Sequence, residues 1–207
     1  MTVVGDMMEL KSQVTKWSLA DFQQHVDVAE VVRIQREYPL DPADGWTNLL
    51  YAALRNRDVK SRQGIATALL DAGWRVNTEP KGANELLLLF EHGRLDPELD
   101  ADLARRLLEL GCDPLALERR GDRPVAKLVT RNQSDAELQP FYDALFAVDD
   151  LDLSRQATNG VSVWRSLMLT TRRVQRASFL QQARDHAERR GRTLPALGES
   201  PKTNDPV

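Results

Sequence analysis

A single cysteine, Cys112, stands in the whole chain, which excludes an intramolecular disulfide framework and fits a reducing compartment. The purely aliphatic-aromatic run Leu86 to Phe90 is far too short to span a bilayer. The first residues lack the charged lead and apolar run of a signal peptide, so a cytoplasmic protein is expected. Glycines occur singly, so no phosphate-cradling loop is formed, and no Gly-x-Ser-x-Gly elbow is present. The net charge of −3 excludes a generally basic nucleic-acid binder while leaving local patches open. Within that balance, 22 arginines stand against 6 lysines.

What the chain does have is a period. Gly45, Gly82, Gly121 and Gly160 each open a similar stretch, and a recurrence of this length marks stacked repeats. Each unit reads as two helices with apolar residues three and four apart. In the first, Thr47 is the expected N-cap, Leu49, Leu50, Ala52, Ala53 and Leu54 follow, and Ile65, Ala68, Leu69 and Ala72 carry the second helix to Gly73. In the second unit Asn84 caps, and Leu103, Leu107, Leu108 and Leu110 lead to Gly111. The third begins at Arg123-Pro124 with a second helix from about 136 to 148, and the fourth is capped by Ser162 with a second helix from about 172 to 190. Ahead of them, Ser18 caps a helix with Trp17 placed against Phe22, and Val28, Val31, Val32 and Ile34 form a further face. No segment alternates with period two, so strands are not expected. The division is a helical cap (1–43), four units (44–81, 82–120, 121–159, 160–193) and a polar tail (194–207) expected to be disordered.

The stretch from Asp44 to Asn77 resembles an ankyrin repeat. Asp44-Gly45-Trp46-Thr47 is similar to that family's opening turn, and Leu69-Leu70-Asp71-Ala72-Gly73 with Val76-Asn77 to its closing stretch. Leu107-Leu108-Glu109-Leu110-Gly111 repeats the closing stretch in the second unit. The family's Pro-Leu-His is replaced by Asn48-Leu49-Leu50, so its histidine network is absent, and the units exceed the family's usual ~33 residues. The resemblance implies an all-α, ankyrin-like solenoid that binds another protein. Its most concrete role is a bacterial immunity protein neutralising a cognate toxin, with an adaptor or regulatory subunit, and then an unrecognised enzyme, as alternatives.

Reactive chemistry finds little support in the residue pattern. His25, His92 and His186 lie far apart and read as surface or helix-end histidines. Cys112 follows a repeat-closing glycine, where a buried, inert thiol is expected. Asp149, Asp150 and Asp152 lack the ligand spacing and glycine of a calcium loop. No catalytic, cofactor-binding or metal-binding residue is expected. The candidate partner-binding residues are Trp46 and Trp74 at the turn tips, with packing under the N-terminal helices as the alternative for both rings, together with an acidic segment, Asp135, Glu137, Asp143, Asp149, Asp150 and Asp152, suited to a basic toxin. From Arg172 to Arg192 seven arginines follow, and the bland alternative is that acids and arginines complement each other within the stack.

Overall fold

Many helix starts among the described residues are set by side chains that satisfy the free N–H groups of a first turn. The computed structural model describes residues 3–37, 48–76, 84–117, 123–155, 162–171 and 176–194. Among them are eleven helices and no strand: α1 (Val3–Val14), α2 (Leu19–His25), α3 (Val28–Glu37), α4 (Leu49–Leu54), α5 (Val59–Asp71), α6 (Glu85–Phe90), α7 (Leu99–Glu109), α8 (Pro124–Val129), α9 (Asp135–Phe146), α10 (Val163–Thr171) and α11 (Ala177–Arg189). Ser18 with Asp21 and Ser134 with Glu137 form reciprocal capping boxes on α2 and α9. Asp58 accepts from Ser61 N at 2.7 Å at the head of α5, and Asn84 accepts from Leu86 N and Leu87 N at the head of α6. Ser162 accepts from Arg165 N at 3.2 Å at the head of α10.

Several expected boundaries move. The cap of α4 is Asn48, not Thr47: its side-chain oxygen takes the N–H of Tyr51 at 3.3 Å from an extended backbone, which starts the helix one residue later. Thr47 and the four unit-opening glycines lie outside the described residues. The third unit's second helix starts at Asp135, because Ser134 is the cap, and ends at Phe146. The fourth unit's second helix starts at Ala177 rather than near 172, since α10 continues to Thr171. Leu194, the first residue of the expected tail, is half-buried and packs against the core. Trp17 stacks on His25, with ring centroids 5.3 Å apart.

Helix ends follow the glycines. Gly73, Gly111 and Gly191 have φ of +90°, +91° and +65°. At each, two backbone bonds close the helix: Gly73 N to Leu70 O with Trp74 N to Leu69 O, Gly111 N to Leu108 O with Cys112 N to Leu107 O, and Gly191 N to Glu188 O with Arg192 N to Ala187 O. This paired closure needs a left-handed residue, which glycine supplies without a Cβ clash.

Packing arranges the helices in two rows. α1 packs on α4, α4 on α6, α6 on α8 and α8 on α10, while α2 packs on α5, α5 on α7, α7 on α9 and α9 on α11. The N-terminal helices therefore continue both rows, with α3 added against α5. All six residues of α4 and of α6 are buried, so these short helices are core throughout rather than amphipathic. Ala52, Ala53, Leu89, Phe90, Leu128, Val129, Leu167 and Met168 line one continuous core. Among the described residues no helix is long and apolar enough to cross a membrane.

Candidate functional site

Between the rows' turns runs a series of buried and half-buried side-chain donors, each reaching carbonyls of the preceding turn. Asn56 donates to Val14 O at 3.0 Å and Trp17 O at 2.8 Å. His92 Nε2 meets Leu54 O at 2.5 Å. Arg131 donates to Phe90 O, His92 O and Gly93 O, and Gln133 exchanges two bonds with the backbone of Leu95 at 2.8 and 2.9 Å. Arg176 donates to Val129 O at 2.9 Å, Gln133 O at 2.7 Å and Arg131 O. The carbonyls ending a short helix have no partner within it, and burial without one is costly, so each cross-unit donor fills a required role.

Apolar spacing carries no trace of this series, because its members are polar. A signal exists: Asn56, His92 and Arg131 each stand two residues past the last residue of α4, α6 and α8. The residue type differs among these three, and only donor capacity is shared.

Beneath these turns Arg62 of α5 and Asp100 of α7 form a buried fork, 2.8 and 2.7 Å long. Asp96 N also donates to Asp100 at 2.8 Å, and Arg62 Nη1 donates to Asn56 O at 2.7 Å. Its second hydrogen faces His92 Nδ1 at 3.5 Å, so the partners assign His92 the neutral tautomer protonated at Nε2. Burial, offset in part by the Leu54 bond, holds the His92 pKa below its ordinary value, and the Arg62 and Arg131 charges add to the effect. Above this floor opens a cleft of about 430 Å³, lined by Arg55, Arg57, Glu91, His92 and Arg94 among others.

The expected partner-binding residues are placed differently. Trp46 lies outside the described residues. Trp74 is 3% exposed and donates from Nε1 to Asn48 Oδ1 at 3.2 Å, so it is a core residue that positions the cap of α4, not a surface anchor. Of the acids, Asp135 accepts from Ser178 N at 2.7 Å at the head of α11, and Glu137 closes its capping box and pairs with Arg94 at 2.6 Å. Asp143 accepts from Gln139 and Gln182 at 2.7 and 2.9 Å. Asp149 pairs with Arg190 at 2.9 Å and Asp152 with Arg192 at 3.3 Å, while Asp150 is exposed. The acidic segment and the end of the arginine-rich helix therefore complement each other within the fold. Asp149 is fully exposed, so its pair adds little stability.

His186 is buried, not superficial: Nδ1 meets Phe146 O at 3.0 Å, and Nε2 accepts from Arg190 Nε at 3.1 Å. Burial lowers its pKa, the Phe146 bond opposes that, and Arg190 lowers it further. His92 is likewise half-buried, and His25 is exposed as expected. Cys112 is buried, with Sγ donating to Glu85 Oε2 at 3.6 Å, and burial pushes its thiol pKa well up, with the Glu85 carboxylate adding to the shift. Among the described residues no group of three or more His, Cys, Asp or Glu is placed to hold a metal ion.

No family model matches this chain, and no curated protein matches its sequence. Among solved structures, a functionally unknown protein from Leptotrichia buccalis C-1013-b superposes with a TM-score of 0.63 at 20% identity, over 90% of this chain and 95% of that one. The likeness concerns the fold alone.

Proposed function

We propose that the chain is a protein-recognition module, an ankyrin-type array of helix pairs, and most concretely an immunity protein that neutralises a cognate toxin. The observation that carries the reading is the series of donors at Asn56, His92, Arg131 and Arg176, each tying one unit to the one before. A binding surface spread over several units keeps its shape only when neighbouring units cannot hinge. Fixing that shape before encounter lowers the ordering cost of association. The immunity role follows from the resemblance to ankyrin-like folds that serve it, and a cytoplasmic site belongs with it.

The test is co-expression with the product of the gene immediately upstream in the native genome. Restored growth and co-elution on size-exclusion chromatography are expected. A harmless product that still co-elutes would replace the immunity role with that of an adaptor. Absence of any complex would remove both.

A further inference from the structure

The turn after α4 and the turn after α6 lie side by side, joined by the His92–Leu54 bond. Between them the cleft has a floor whose polar groups are already committed. Arg62 is consumed by Asp100, Asn56 O and His92, and His92 itself is neutral in its assigned tautomer. The rim is different. Arg55 and Arg57 are exposed, and neither side chain has a hydrogen bond or ion pair among the described residues. Arg94, also on the rim, holds the carboxylate of Glu137 through Nη2 alone. With Arg94 paired to Glu137 and Glu91 the carboxylate in the lining, Arg55 and Arg57 are the rim guanidinium groups left without an ion pair.

We propose that this cleft receives the carboxylates of an acidic segment of a partner protein. The inference rests on the protein-recognition reading and gives that partner a chemistry. Two features favour carboxylates over a nucleic-acid backbone. The chain's own arginines bind carboxylates on both sides of the cleft, Glu137 at the rim and Asp100 in the floor. The net charge of −3, with Glu91 in the lining, repels an extended polyanion while tolerating a short acidic stretch. The floor fixes the backbone beside the rim residues, through Leu54 O and Asn56 O, so their charges are presented from one turn.

The experiment is fluorescence polarisation with a labelled hexaglutamate peptide and, separately, a labelled oligo-dT of equal charge. The peptide is expected to bind saturably and more weakly as salt rises. Arg55→Glu with Arg57→Glu should lower its affinity about ten-fold or more, with the melting temperature unchanged. Arg184→Glu with Arg189→Glu reverses the same charge on exposed positions of α11 and should change affinity less than about two-fold. Equal losses in both double variants would overturn the proposal, as would no peptide binding. Tighter binding of oligo-dT than of peptide would overturn the protein-recognition reading as well. An upstream-gene product that binds both double variants as it binds the native chain would sink the cleft and leave that reading standing.

Discussion

Arg62 and Asp100 meet as a two-pronged ion pair with side chains 2% and 0% exposed, one from α5 and the other from α7. Neither helix could bury its charge alone. Removing one partner leaves an uncompensated ion in the core, so Arg62→Met should cost about 3–5 kcal/mol in urea unfolding. Arg62→Met with Asp100→Leu should recover a large part of that loss, since the pair itself repays a heavy desolvation cost. A single variant as stable as the native chain would mean that solvent reaches the fork.

Acid should destabilise the fold through His92 and His186. Both have pKa values depressed in the folded state below the ordinary 6.5. Below that pH the unfolded chain therefore binds more protons than the folded one. Their contribution is fully present above about pH 6.5 and is lost as pH falls through the lowered folded values. Melting temperatures measured across this range should fall on acidification, and less steeply in His186→Gln. A flat profile in the native chain would contradict the burial of His186 and the partial burial of His92.

Gly111→Ala and Gly73→Ala separate backbone strain from crowding. Both positions have φ near +90°, where a Cβ is strained, but an added Cβ at Gly111 meets nothing within 4 Å. Gly111→Ala should cost about 1 kcal/mol. At Gly73 the Cβ would stand 2.2 Å from Arg36 Nη2, whose bond to Gly73 O at 3.3 Å would be displaced. Gly73→Ala should cost more, and the excess should vanish in an Arg36→Ala background. Equal costs in both backgrounds would assign the Arg36 contact no energy.

Cys112 should resist alkylation. Its thiol is buried against Glu85 and its pKa is raised, so little thiolate exists near neutral pH. Iodoacetamide should label it only after denaturation, and Cys112→Ala should cost about 1–2 kcal/mol from lost packing. Rapid labelling of the native chain would mean that the turn after Gly111 opens readily.

Much of the fold was legible in the chain because its signals are local. Ser18, Asn84 and Ser162 stand beside the N–H groups they satisfy, and Gly73, Gly111 and Gly191 stand beside the helices they end. The apolar runs Leu49 to Leu54 and Leu86 to Phe90 announced helices buried on every side. Charge was harder to interpret. The six acids from Asp135 to Asp152 look like a surface field in one dimension, yet five of them accept bonds or pair within the fold. Trp74 looks like an exposed tip only until the indole is seen donating to Asn48.

The sequence by itself determined the helix ends that carry a local cap or a left-handed glycine, since both act over three or four residues, whereas α11 takes its first-turn acceptor from Asp135 of α9. Only the tertiary structure decided which charges are spent and which remain available. A guanidinium such as Arg131 or Arg57 carries the same donors in either setting. What separates them is whether stacking brings orphaned carbonyls of the preceding unit within about 3 Å, a distance set by packing across some forty residues of chain.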